Sequence, residues 1–255
     1  MSGKPLSRQR RHTLYFLEEI RGFAPVFLDT EVDMTRVREH RAAAGRTSTV
    51  SYVLHTAART LARHPEANAA LGGRRRPRVA ECPSVHGKLT FDKTVGGRRV
   101  VLSAVLRDLD RTELPGIQSQ VEHYRDGNPD EMPEFAALRT LHKLPLWLGR
   151  CGFRRTVRPL AGRAGRMGTF AVTSLGHRAV DAFHSVGGTT ITLGVGRVLE
   201  RPVVRDGRIT TAPLMRLSLA FDHRVIDGAE AADVLTEIKD GLESFARVPA
   251  TVGKS

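Results

Sequence analysis

Cysteine is almost absent from this 255-residue chain: Cys82 and Cys151 are its only two. That is too few for a disulfide framework, and their spacing is not that of metal ligands, so both are expected as reduced thiols. No Cys/His metal site is visible, and no metal is expected. No apolar run approaches the roughly 18 residues of a membrane span, so a membrane is not among the expected partners. The opening stretch from Met1 to Arg11 is charged with no apolar run behind it, which argues against a secretory leader and for a cytoplasmic setting. Aromatic residues make up only 5% of the chain, yet 40% apolar content over this length can bury a substantial core. Repeats, heptads and domain linkers are also missing, so a single α/β domain is expected.

Acidic residues are the other shortage. Against 27 Asp and Glu stand 40 Lys and Arg, a net charge of +13. The excess is mostly arginine and falls in clusters: Arg8/Arg10/Arg11, Arg74/Arg75/Arg76/Arg78, and six arginines between Arg150 and Arg166. No aromatic-interleaved stripe and no DNA- or RNA-binding module accompanies them, so nucleic acid is not the expected partner. A solvated surface, or a mouth that draws in a phosphorylated cofactor, accounts better for such a field.

Periodicity divides the chain into elements. Residues 6–22 read as a helix ending near Gly22, with Pro25 beyond it. Val26, Leu28, Thr30 and Val32 share one face of a strand, and Asp29 and Glu31 the other. A polar segment with Gly45 and Thr47-Ser48-Thr49 caps a helix whose apolar positions are Val50, Val53, Leu54, Ala57, Ala58 and Leu61. Gly72 to Pro77 reads as a surface loop. Gly96-Gly97 separates strands over 88–93 and 99–106, with Val101, Ser103 and Val105 on one face of the second. A helix follows over 114–124, with Thr112 as its cap. The interval 126–168 is rich in Gly, Pro and Arg, and shows only a short helix around Phe135 to Leu148 among loops. Strands over 169–173 and 190–198 come next, then a hairpin turn at Asp206-Gly207. Residues 1–5 are expected to be disordered, 6–247 to form the domain, and 248–255 to be a flexible tail.

The stretch Phe221-Asp222-His223-Arg224-Val225-Ile226-Asp227-Gly228 organises the rest. Leu217, Leu219 and Phe221 alternate as in a strand with one buried face. After Gly228, Ala231, Val234, Leu235, Ile238, Leu242 and Phe245 recur at helical spacing. A histidine held at a strand end with an aspartate four residues on is a common way to present a general base. A plain polar turn residue would give the same pattern.

Asp222-His-Arg-x-x-Asp-Gly228 is also the hallmark of a known family. With Gly168-Thr-Phe-Ala-Val-Thr-Ser-Leu-Gly176 and the opening Leu6-Ser7-Arg8, Pro25 and Glu31-Val32-Asp33-Met34-Thr35, it makes the chain resemble the catalytic domain of the dihydrolipoyl acyltransferases of 2-oxoacid dehydrogenase complexes, relatives of chloramphenicol acetyltransferase. The resemblance runs from about Leu6 to Phe245. It implies a chloramphenicol acetyltransferase-like two-layer sandwich with a mixed sheet, and coenzyme A as carrier of the acyl group. His223 would be the base, Thr173 the hydroxyl that stabilises the oxyanion, and Asp227 the carboxylate that orders the site. It also implies a homotrimer, able to assemble further, with His223 from one subunit and Thr173 from its neighbour. Apart from the family, Thr173 reads as a β-branched strand residue, and Asp227 as a helix cap.

The chain also departs from the family. Lipoyl domains, a partner-binding domain and Ala/Pro linkers are not seen ahead of the catalytic region. Gly97-Arg-Arg-Val-Val-Leu-Ser-Ala-Val-Leu106 lacks the proline of the family's Gly-Leu-Val-Val-Pro-Val-Ile segment. Tyr15 and Phe16 stand where many members carry an arginine pair, leaving Asp227 without an assigned ion-pair partner. These departures resemble free-standing acetyltransferases of tetronate pathways, so the leading expectation is acetyl transfer from acetyl-CoA to a small-molecule alcohol. The second is a dihydrolipoamide acyltransferase core acting on lipoyl domains supplied by another protein. The third, a non-catalytic trimeric scaffold, is disfavoured by the presence of both His223 and Thr173.

Overall fold

A computed structural model describes every residue except 1, 2, 4, 46, 74, 75 and 246–255. The expected tail and half of the Arg74/Arg75/Arg76/Arg78 cluster therefore lie outside the described residues. Eight helices and eight strands are arranged as α1 (Arg11–Glu19), β1 (Pro25–Asp33), α2 (Thr35–Ala44), α3 (Thr49–Leu61), β2 (Ala69–Gly72), β3 (Arg78–Glu81), β4 (Gly87–Val95), β5 (Arg98–Leu106), α4 (Leu114–Asp126), α5 (Ala136–Lys143), α6 (Leu146–Val157), α7 (Arg163–Met167), β6 (Phe170–Ser174), β7 (Ile191–Arg205), β8 (Arg208–Asp222) and α8 (Gly228–Glu243). Six strands form one mixed sheet in the order β1-β8-β7-β6-β4-β5, and β2 pairs with β3 as a separate hairpin. β6 runs parallel to both β4 and β7, while the other pairs are antiparallel.

One face of the sheet is the core layer. Leu217, Leu219 and Phe221 of β8 stand opposite Val195, Leu193 and Ile191 of β7. All six are buried to within 1% against Val53, Leu54 and Ala57 of α3 and Ala231, Val234 and Ile238 of α8. Each fully buried aliphatic or aromatic side chain contributes about 2 kcal/mol, so this layer is the main source of stability. Ser48 caps α3 by accepting from the Ser51 N–H at 3.2 Å. Thr112, by contrast, is not the cap of α4: its hydroxyl donates to the Asp108 carbonyl, and Glu113 occupies the cap position.

The opposite face carries small and polar residues, Ala171 and Thr173 on β6, Thr192 and Gly194 on β7, and Ser218 on β8. The segment between β6 and β7 lies directly upon it. A Cβ at Gly194 would overlap the Phe183 carbonyl, and one at Gly196 the Asp181 carbonyl. Gly194→Ala is therefore expected to destabilise the protein by about 2 kcal/mol, or to displace this segment. An unchanged urea midpoint in that variant would contradict this packing.

Between α4 and β6 the chain is more regular than its composition suggests, with α5, α6 and α7 where one short helix is expected from sequence. α1 docks on this group through a histidine pair. His12 Nδ1 lies 3.0 Å from His142 Nε2, and Arg11 donates to the carbonyls of His142 and Leu144. Burial, with His12 and Arg11 beside it, pushes the His142 pKa from 6.5 down to about 4. Because the folded pKa is depressed, the unfolded chain takes up a proton that the folded chain refuses between these values. Stability should fall as pH drops from about 6.5 to about 4, by on the order of 2 kcal/mol. Thermal melts of wild type and His142→Gln across that range check this: the variant's Tm should depend less on pH.

Candidate active site

The Asp222–Gly228 turn leaves the core at the end of β8, and its main chain is held at several points. The Asp222 N–H donates to the Thr190 carbonyl at 3.0 Å, and the His223 N–H to the Ala24 carbonyl at 3.0 Å. The Asp222 carboxylate is buried and receives Arg224 through Nε at 2.8 Å, Nη2 at 2.6 Å and the Arg224 main-chain N–H at 3.2 Å. A buried carboxylate met by a guanidinium fork and a backbone donor fixes the turn geometrically. Arg224 also lies over the Phe23 ring, 5.6 Å from its centroid. Asp222 and Arg224, which the sequence marks only as parts of the motif, are thus its structural clamp.

His223 is left half exposed, with 48% of its side chain accessible, on a fixed main chain. Its Nδ1 is 3.4 Å from Asp227 Oδ1, a loose contact to a carboxylate that is itself 89% exposed. Asp227 stands at the N-cap position of α8, but its side chain makes no capping hydrogen bond. It faces His223 instead, an orientation that can keep Nδ1 protonated and Nε2 free to accept a proton. Tyr15 and Phe16 serve elsewhere: Tyr15 is buried against Phe153, and Phe16 lies under Lys88.

Thr173 lies on β6 opposite Gly194, which in turn stands opposite Ser218 on β8. Its hydroxyl has no hydrogen-bond partner among the described residues, so it can serve a ligand. Within one chain, however, it does not meet His223. His223 follows Ser218 by five residues, which places the two roughly 16 Å apart along the strands and about 10 Å across them. A single protomer brings His223 and Asp227 together and leaves Thr173 apart.

Two further groups near Thr173 escape a reading of the sequence. Lys88 stands opposite Ala171, is almost fully buried, donates to the Gly187 carbonyl and lies 4.9 Å from the Phe16 ring centroid. Burial, reinforced by Arg163, pushes its ammonium pKa from 10.5 down to about 7. His184 Nε2 sits 3.0 Å from both carboxylate oxygens of Asp29, which lies in the Thr173 row of the sheet across β7 and β8. Neither group belongs to a local motif, and the His184–Asp29 pair joins positions 155 residues apart.

Residues 163–249 match the family model of the 2-oxoacid dehydrogenases acyltransferase catalytic domain. The fold agrees over the whole chain with a probable dihydrolipoamide acetyltransferase from Listeria monocytogenes: 18% identity, TM-score 0.70, covering 100% of this chain and 98% of that one. The chain resembles the catalytic domain of the 2-oxoacid dehydrogenase acyltransferases. Chloramphenicol acetyltransferase shares the same two-layer architecture at TM-score 0.54 and 16% identity, over 93% of this chain and 96% of that one. The dihydrolipoyllysine-residue succinyltransferase component of the Haemophilus influenzae 2-oxoglutarate dehydrogenase complex is 26% identical over 261 residues, covering 96% of this chain and 54% of the relative. The corresponding acetyltransferase component from the Bacillus subtilis pyruvate dehydrogenase complex is 57% identical over a 47-residue stretch, 18% of this chain and 11% of the relative. The chain therefore spans about half the length of this succinyltransferase. These relatives are acyltransferases named for transfer to dihydrolipoyl-lysine.

Proposed function

We propose that the protein is the catalytic core of an acyltransferase that moves an acyl group between coenzyme A and a dihydrolipoyl thiol. The observation that carries this reading is the His223 turn, whose main chain is clamped while the imidazole stays open to a substrate. His223 Nε2 takes the proton from the acceptor thiol, and the sulfur attacks the thioester carbonyl. The new C–S bond converts the carbonyl into an oxyanion, which the Thr173 hydroxyl stabilises by donating a hydrogen bond. As the tetrahedral intermediate collapses, the C–S bond to coenzyme A breaks and the departing sulfur recovers the proton from His223. Asp227 holds the imidazole in the tautomer this requires. Because His223 and Thr173 are separated within one chain, the complete site forms between two copies, and a homotrimer supplies it.

The test is acyl exchange from acetyl-CoA and succinyl-CoA onto free dihydrolipoamide, beside hydroxylated acceptors of similar size. Transfer to the thiol at least about tenfold faster than to any alcohol is expected, since a thiol gives up its proton far more readily than an alcohol. Transfer only to the alcohol would replace this reading with the O-acyl one.

A further inference from the structure

Five of the six arginines between Arg150 and Arg166 fall into two groups. Arg150, Arg154 and Arg158 on and after α6 are neutralised by Glu18 and Glu19 of α1. Arg163 and Arg166, joined by Arg107 from the end of β5, are not. They line a cleft of about 540 Å³ between the β2–β3 hairpin and the segment 160–166, shared with His86, Cys82 and Glu81. Among the described residues, every hydrogen bond these three guanidinium groups make goes to a main-chain carbonyl: Arg107 to Gly165, Arg163 to Leu71 and Gly188, Arg166 to Thr156, Pro159 and Ala161. None of the three has an ion-pair partner among the described residues. The carboxylates that act electrostatically on Arg163 are Asp222 and Glu19, and each is already engaged, Asp222 by Arg224 and Glu19 by Arg154 and Arg158. Among the described residues, Glu81 is the one acidic side chain of the lining, and no ion pair joins it to any of them.

Three guanidinium groups around one concavity with their charge uncompensated form an anion site, and forked donors suit phosphate oxygens in particular. The cleft volume falls in the range of small-molecule sites. It also lies toward the His223 end of the sheet, where β5 ends and β4 begins. Arg163 donates to Gly188, two residues before Thr190, whose carbonyl holds the Asp222 N–H. The path from that guanidinium to His223 is under about 20 Å of chain, within the reach of an extended pantetheine arm.

We propose that this cleft binds the phosphate-bearing end of the acyl-CoA thioester, with Arg107, Arg163 and Arg166 as its recognition residues. The assignment rests on the acyl-CoA donor of the functional reading and adds the part of the donor that does not react. Phosphates held here leave the pantetheine arm to extend toward the His223 turn.

Calorimetric titration of coenzyme A, pantetheine and inorganic pyrophosphate into the full chain tests the proposal by binding alone. Coenzyme A should bind at least about tenfold more tightly than pantetheine. Arg107→Gln, at an exposed position, should weaken coenzyme A about tenfold while leaving pantetheine unchanged. Arg107→Lys should recover part of that loss. Equal affinity of coenzyme A for wild type and Arg107→Gln would overturn the proposal. So would pyrophosphate binding as tightly as coenzyme A, which would make the cleft a general anion site. The same titrations in His223→Ala, which the functional reading makes inactive, should give wild-type affinity, so binding and chemistry fail separately.

Discussion

His223→Ala is expected to lower acyl transfer by about 10²- to 10⁴-fold, with little change in folding or assembly. The magnitude follows from removing the one group placed to accept the acceptor's proton, after which water must serve. Stability should hold because the turn is fixed by parts of the chain that the substitution leaves alone. The His223 N–H keeps its bond to the Ala24 carbonyl, and the Asp222–Arg224 clamp is untouched. The lost side chain is half exposed and, among the described residues, makes its one close polar contact with the exposed Asp227. Single-turnover measurement of thiol release, alongside a thermal melt and the oligomer mass, separates the two effects. Full activity in this variant would remove His223 from the chemistry.

Thr173→Val should reduce kcat by about 10²- to 10³-fold, the cost found when one oxyanion donor is removed. Valine preserves the shape and β-branching that suit β6, so the pairing with Gly194 should persist. The hydroxyl makes no internal hydrogen bond among the described residues, and its loss leaves no described polar group unpaired. KM for the acyl donor should change little, because the hydrogen bond strengthens only as the oxyanion forms. A rise in KM with unchanged kcat would place Thr173 in substrate binding instead. Serine at the same position should restore most of the rate.

The elements easiest to read in the sequence are those with one buried face and a clear period. Leu217, Leu219 and Phe221 alternate because helices cover one side of β8, and α3 and α8 repeat at 3.6 because each buries a broad stripe. α2 is unreadable for the opposite reason: among its described side chains Val37 is the one buried hydrophobic, and its sequence is largely Arg, His and Ala. α6 conceals itself behind an exposed Trp147 and its arginines, its buried positions being Gly149 and Val157. On β5, Val101, Ser103 and Val105 do share a face, yet the core takes the other one, with Val100, Leu102, Ala104 and Leu106 buried and Val101 59% exposed. A sheet-edge strand with valines on both faces gives no signal to choose between them.

The site divides in the same way. His223 and Asp227 are four residues apart, so a local pattern suffices to pair them. The Arg107–Arg163–Arg166 cleft and the His184–Asp29 pair join distant segments through the sheet topology, and no spacing in the chain announces them. Thr173 is intermediate: its motif is local, but the strand register sets it apart from His223 within one chain, so the proposed site pairs the two between copies.

That last point is the centre of the account, and subunit mixing tests it most directly. His223→Ala and Thr173→Val proteins, each retaining about 1% of activity or less alone, are dissociated, combined in equal amounts and reassembled. A site built from His223 of one copy and Thr173 of another predicts recovery of roughly a quarter of wild-type activity, since random assembly brings two intact residues together at that frequency. Activity that stays at the level of the separate variants, while mass measurement shows mixed oligomers, would contradict an active site shared between copies.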